Sequence, residues 1–176
     1  RQISHRDFPD LPGYLRQNDL LVFNDSRVLP ARLLGSKAGS LGNIEVLLLE
    51  ENGLNDWWAM LRPGKRVRAG TEITFRDYAE QTTAIKATVL EKNVEGHGRL
   101  VFSGTADIKL ALDRIGRIPL PPYITRAPQT DGIDDLTRYQ TVFARETGSL
   151  AAPTAGLHFS DRLLSKIRAL EVGIQF

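Results

Sequence analysis

Two stretches of the chain hold residues suited to chemistry. The first is Asn24-Asp25-Ser26-Arg27, three hydrogen-bonding side chains and an Arg placed directly behind the apolar run Leu20-Leu21-Val22-Phe23. The second runs from Gly148 to Phe159, and eight of its first nine residues are Gly, Ser, Ala, Pro or Thr. Small residues bury little apolar area but let the backbone approach a neighbour closely. Strand ends are where open α/β sheets place ligands, so the Asn24 cluster reads as site-like. Each stretch also has a plainer reading. Asn24 and Asp25 can form an Asx turn with Arg27 as a salt-bridge partner, and the small-residue run can be a tightly packed strand-to-helix connection.

The elements around these stretches explain their placement. Ser160 is a good N-cap, Phe159 and Leu164 can staple the helix start, and Leu163, Leu164, Ile167 and Leu170 share one face, which predicts a helix from Ser160 to Leu170. The small-residue loop therefore lies ahead of a helix N-terminus, where backbone N–H groups and the dipole favour a phosphate or carboxylate. Upstream, Asp19 to Phe23 reads as a strand covered on both faces, and Asp10-Leu11-Pro12 starts a brief helix ending at Leu15. Residues 134 to 144 read as a helix on whose face Leu136, Tyr139, Gln140 and Phe143 fall, with Tyr139 and Gln140 able to reach a ligand.

Between Leu33 and Phe102 the pattern changes to short apolar runs divided by turn signals. Strands are expected at 32–35, 43–50, 57–61, 72–75, 83–91 and 99–102, which suggests an antiparallel barrel or sandwich. Arg62, Lys65, Arg66 and Arg68 surround the Pro63-Gly64 turn beside Trp57 and Trp58. Interleaved cations and aromatics suit a nucleic-acid backbone and its bases, or else form a solvated face over a Trp-filled core. A helix is expected at 106–115, stopped by Gly116, and the three prolines Pro119, Pro121 and Pro122 predict an extended connector.

Composition narrows the options. The 176 residues are 41% hydrophobic and 25% charged, enough for a real core in one domain or two. There is no Cys, so disulfides, thiolate metal sites and a Cys nucleophile are excluded. No apolar run reaches membrane-spanning length. The net charge of +2 is small, but 17 of the 23 basic residues are Arg, the side chain that grips phosphate and carboxylate with a planar fork. His5, His97 and His158 show no metal-ligand spacing, and the Rossmann, P-loop, zincin and nucleophile-elbow motifs are absent. The start on Arg1 and the end just past Gly173 suggest a fragment lacking both ends.

The order of these motifs carries a resemblance. The Asn24 cluster, the Arg62 turn, the proline-rich connector and Arg138-Tyr139-Gln140-Thr141-Val142-Phe143, leading to Ala151-Ala152-Pro153-Thr154-Ala155-Gly156-Leu157-His158-Phe159, together resemble the S-adenosylmethionine:tRNA ribosyltransferase-isomerase family of queuosine biosynthesis. The resemblance covers roughly the N-terminal half of such an enzyme. Departures are Ser26 for Thr, Ser149-Leu150 for Ala-Val and Phe143 for Tyr, and the family's later His-containing segments have no counterpart.

The resemblance implies an α/β main domain with a mixed sheet, covering 1–32 and 122–176, interrupted at 33–121 by an inserted antiparallel β-barrel. It implies transfer and isomerisation of the ribosyl group of S-adenosylmethionine, a consumed co-substrate, onto a 7-aminomethyl-7-deazaguanine at the tRNA wobble position, giving epoxyqueuosine-tRNA. A cytoplasmic monomer without metal or membrane attachment is expected. Asp25 and His158 are the candidates for the base that removes the ribose C5′ proton. Asn24, Arg27, Arg32, Tyr139, Gln140, Thr154 and Gly156 are the candidate substrate contacts, and Arg62, Lys65, Arg66 and Arg126 are the candidate tRNA-phosphate contacts. The competing function is a non-catalytic RNA-binding module in which the small-residue loop is only packing.

Overall fold

A computed structural model describes residues 3–38, 40, 42–121, 123–124 and 133–176. The chain divides into two compact units, one comprising 1–28 and 138–176 and the other 29–137. The expected barrel boundaries, 33 and 121, fall inside the second unit.

That second unit is built on a closed antiparallel barrel of six strands. They are β3 (Arg32–Lys37), β4 (Asn43–Gly53), β5 (Asp56–Arg62), β6 (Glu72–Arg76), β7 (Thr82–Lys92) and β8 (Gly98–Ser103). The order β4-β5-β8-β7-β6-β3 is sealed by pairing of β3 with β4, so no strand of the ring keeps an open edge. Period-two alternation sends one side chain of each pair inward. Leu33, Val46, Leu48, Ala59, Ile73, Phe75, Ala87, Val89 and Leu100 are fully buried, and Phe75 stacks on Phe102 with ring centroids 5.6 Å apart. Each such large side chain contributes about 1.5–3 kcal/mol by leaving water. All six strands expected from the apolar runs and the turn signals between them are present.

Helix α1 (Ile108–Ile115) follows β8 and starts on Asp107, whose carboxylate accepts from Lys109 N at 2.9 Å. Asn55, in the β4–β5 turn, ties this start down by accepting from Ile108 N at 2.7 Å. The chain then forms the short β9 (Gly116–Arg117) against β3. Only Gly fits at 116, because a Cβ there would stand 2.0 Å from the Pro30 carbonyl oxygen.

The first unit contains two parallel strand pairs and helices. β1 (Leu20–Val22) pairs with β11 (Gly173–Gln175), and β2 (Ser26–Val28) pairs with β10 (Glu146–Ser149). Helix α3 (Asp161–Arg168) starts on Ser160, whose Oγ accepts from Leu163 N at 3.3 Å, and packs Leu163 and Ile167 with Val172 against Phe8, Leu11, Leu15 and Leu21. Leu170, expected on the same face, is 41% exposed because the helix ends before it.

Three expectations need correction. The early strand is not covered on both faces, since Leu20 and Val22 are 62% and 72% exposed. The brief N-terminal helix is a 3-10 helix over Phe8–Tyr14, held tight by Pro9 and Pro12. The helix expected at 134–144 is only α2 (Ile133–Arg138), because Gln140 bonds to a strand backbone rather than continuing the turn.

Candidate functional site

The two chemistry-bearing stretches meet within the first unit. Ser26 and Arg27 of β2 lie beside Glu146 and Thr147 of β10, and β10 runs directly into the small-residue loop. Phe23, one residue before the Asn24 cluster, meets Phe159 edge-on at 4.8 Å and Phe143 at 4.8 Å. These aromatic pairs prefer such tilted contacts and fix the loop's far end against the strand terminus.

At the strand terminus, Asn24 Oδ1 accepts from Ser26 N at 2.8 Å and also from Ser26 Oγ, an Asx turn with Asn24 exposed. Asp25 does not pair with Arg27. Its Oδ2 accepts instead from Arg145 Nη2 at 3.0 Å and Nε at 3.2 Å, and its carbonyl accepts from Arg145 N at 2.7 Å. The Arg27 side chain is exposed on β2 and has no ion pair among the described residues. Arg145 lies over the Phe176 ring, 4.5 Å from its centroid. Sequence reasoning missed Arg145, although its place between Phe143 and the start of β10 is the signal that could have found it.

The loop itself is ordered by local bonds. Ser149 Oγ donates to Ala151 O at 2.7 Å, and a 3-10 helix spans Thr154–His158. Thr154 and His158 are exposed, and the His158 ring packs on Phe8 with centroids 5.0 Å apart. Gly156 is buried, and a Cβ there would meet Thr141 Cγ2 at 2.7 Å and Phe143 Cζ at 3.1 Å. Its close approach is therefore to the segment following Tyr139 and Gln140. The Thr141 hydroxyl beneath it is buried without a hydrogen-bond partner among the described residues. Such a group costs free energy unless something else satisfies it.

Gln140 turns its amide onto Val28, accepting from Val28 N and donating to Val28 O, both at 2.9 Å. It thereby acts as a one-residue strand partner and anchors β2 to this segment. Tyr139 is 5% exposed and packed in the core. An open cleft of about 680 Å³, lined by Arg6, Tyr14 and Lys166 among others, lies along the N-terminal 3-10 helix Phe8–Tyr14 and includes none of the expected site residues.

The remaining candidates belong to the other unit. Arg32 sits on β3 with its Nε 3.1 Å from Glu45 Oε2. Arg62, Lys65 and Arg66 are exposed around the turn after β5, where a 3-10 helix spans Gly64–Arg66. Arg126 lies outside the described residues. The two tryptophans part company: Trp57 points into the barrel at 6% exposure, and Trp58 faces outward. Among the described residues no three His, Asp or Glu side chains gather as a metal site, and no helix is long and apolar enough to cross a membrane.

Comparison with known proteins gives one consistent result. Residues 1–176 match the family model described as "Queuosine biosynthesis protein". The S-adenosylmethionine:tRNA ribosyltransferase-isomerase of Gloeobacter violaceus is 46% identical over 165 residues, covering 93% of this chain and 44% of that protein. Its namesake from Staphylococcus saprophyticus is 43% identical over 176 residues, covering 99% of this chain and 48% of the relative. The crystal structure of S-adenosylmethionine tRNA ribosyltransferase from Thermotoga maritima is 27% identical, with a TM-score of 0.42, covering 98% of this chain and 44% of that one. The chain thus spans about half the length of the curated relatives it matches.

Proposed function

The chain belongs to the family of queuosine biosynthesis proteins, and we propose that it forms part of an enzyme that transfers and isomerises the ribosyl group of S-adenosylmethionine onto 7-aminomethyl-7-deazaguanine in tRNA, giving epoxyqueuosine-tRNA. The observation that carries this reading is the meeting of the Asn24 cluster with the small-residue loop, through the β2–β10 pair and the Phe23–Phe159 contact. The donor is a sulfonium with an α-carboxylate at one end and an adenine at the other. Its carboxylate suits the backbone donors ahead of α3 and the exposed guanidinium of Arg27. The sulfonium acidifies its neighbouring C–H bonds, and Asp25 or His158 is the group to take the C5′ proton before adenine and methionine depart.

In this reading the orphan hydroxyl of Thr141 and the loop residue Thr154 line the donor side, and Arg62, Lys65, Arg66 and Arg126 meet tRNA phosphates. The parallel pairs β1–β11 and β2–β10 are pieces of a mixed α/β sheet interrupted by the barrel, and the working protein is a cytoplasmic monomer. Arg32 and Gln140, engaged with Glu45 and Val28, act on substrate only by letting go of those partners.

The test is adenine release. A protein of the relatives' length containing this chain, given S-adenosylmethionine and precursor-bearing tRNA, releases adenine only when both are present. The 176-residue chain alone binds tRNA without turnover. Release without tRNA, or none from the longer protein, overturns the transferase reading and leaves a non-catalytic RNA-binding module.

A further inference from the structure

The outer face of the barrel is more specific than a scatter of basic charge. Alternation along β5 buries Trp57, Ala59 and Leu61 at 6%, 0% and 6% exposure, and leaves Trp58, Met60 and Arg62 on the outside, with Met60 43% exposed. The register of β4 sets Leu47 opposite Met60 and Glu45 opposite Arg62. A half-buried indole and a thioether on the outer side of a closed ring are not used by its interior.

The strip has opposite character at its two ends. Beyond Arg62 the chain turns through Gly64–Arg66, and Lys92 Nζ donates to Gly64 O at 2.6 Å, bringing a fourth cation to the same turn. None of Arg62, Lys65, Arg66 and Lys92 has an ion pair among the described residues. At the other end Trp58 stands between Glu50 on β4 and Arg99 on β8, and Arg99 is paired with Asp56 at 2.7 Å and Glu91 at 3.1 Å. An apolar platform with unneutralised cations at one end and paired charges at the other fits a polyanion that follows the turn and lays a base on the indole.

We propose that Trp58, flanked by Met60, is a stacking platform for an unpaired base of the RNA substrate, whose phosphates follow Arg62, Lys65, Arg66 and Lys92 around the turn. The proposal rests on the tRNA reading above and narrows it to a single-stranded loop. Within an A-form duplex every internal base face is covered by its neighbours, so an indole on a convex barrel wall has nothing to stack on along its length; a splayed loop base offers its π-face.

The experiment titrates the purified 176-residue chain against a fluorescently labelled anticodon stem-loop RNA and a blunt RNA duplex of equal length, over a range of salt. The stem-loop binds more tightly than the duplex. Trp58→Ala weakens stem-loop binding by roughly tenfold with the salt slope unchanged, and Trp58→Phe restores most of it. Lys65→Ala with Arg66→Ala lowers that slope by roughly one to two. Glu50→Gln tightens binding. Equal affinity for Trp58→Ala and the parent chain, or for stem-loop and duplex, overturns the platform while leaving tRNA binding in place. No binding of either RNA by the parent chain overturns the platform and the RNA reading together.

Discussion

Arg145 grips Asp25 through Nη2 at 3.0 Å and Nε at 3.2 Å while its guanidinium lies 4.5 Å over the Phe176 ring. One cation thus orients the carboxylate that the sequence singles out and stacks on the aromatic group beside it. Arg145 is 61% exposed, so solvent screens the pair and it contributes only about 0.5–1 kcal/mol to stability.

A double-mutant cycle on Asp25→Asn and Arg145→Ala, followed by chemical denaturation, is expected to give a coupling of about 1 kcal/mol or less. In a protein of the relatives' length, Asp25→Asn lowers adenine release at least about a hundredfold if Asp25 is the base. Full turnover in that variant assigns Asp25 to holding Arg145 and transfers the base role to His158.

Gln140→Leu removes both bonds to Val28 and leaves a buried N–H and C=O unpaired, since Val28 is 2% exposed. The expected loss is about 2–4 kcal/mol, read from the urea midpoint. A loss under about 0.5 kcal/mol would mean that water replaces the amide.

Gly156→Ala places a methyl 2.7 Å from Thr141 Cγ2, so one of two buried side chains must shift. A destabilisation of about 1–3 kcal/mol is expected by thermal or chemical unfolding. Thr154→Ala, at an exposed position in the same loop, should change stability by less than about 0.5 kcal/mol, so any loss of S-adenosylmethionine binding there reports direct contact.

The bidentate bond from Arg99, helped by Asn52, holds the Asp56 carboxyl below its ordinary range. A depressed folded-state value contributes stability that is complete above the unfolded value of about 4 and disappears as pH falls through the lowered one. Melting temperatures of Asp56→Asn and the parent chain should therefore differ at neutral pH, and the gap should shrink as the pH falls below the unfolded value of about 4. A gap that widens in acid would contradict the assignment.

The barrel was legible because its signal is local. Short apolar runs such as Ile44 to Leu49, separated by turn residues, mark the strands in the sequence, and the structure shows which face is inward by burying Ile44, Val46 and Leu48. The first unit is harder, because its residues are positioned by partners distant in sequence. Tyr139, Gln140 and Phe143 fall near one helical face, yet the Gln140 amide finds Val28, 112 positions away, and the helix stops. Leu20 to Phe23 has the apolar continuity of a doubly covered strand, but what covers it is a matter of tertiary context that periodicity does not encode. The two chemistry-bearing stretches lie together in the first unit, as β2 pairs with β10 and Phe23 meets Phe159, whereas Arg145 and the buried Thr141 hydroxyl come to them through tertiary contacts that periodicity does not encode.

β3 and β9 run side by side, with Arg32 opposite Arg117 and Leu33 opposite Gly116. The segment from Arg32 to Arg117, which contains the whole ring, therefore starts and ends side by side, about 5 Å apart across the pair. Excision at those points leaves a gap that a bridge of a few glycines can close, and the excised piece keeps the strand pairings of its wall, losing the bond from Leu48 N to Ala31 O. Such a module can be gained, lost or transplanted during evolution as a cassette, and changes to its outer wall can be selected without rethreading the rest of the polypeptide.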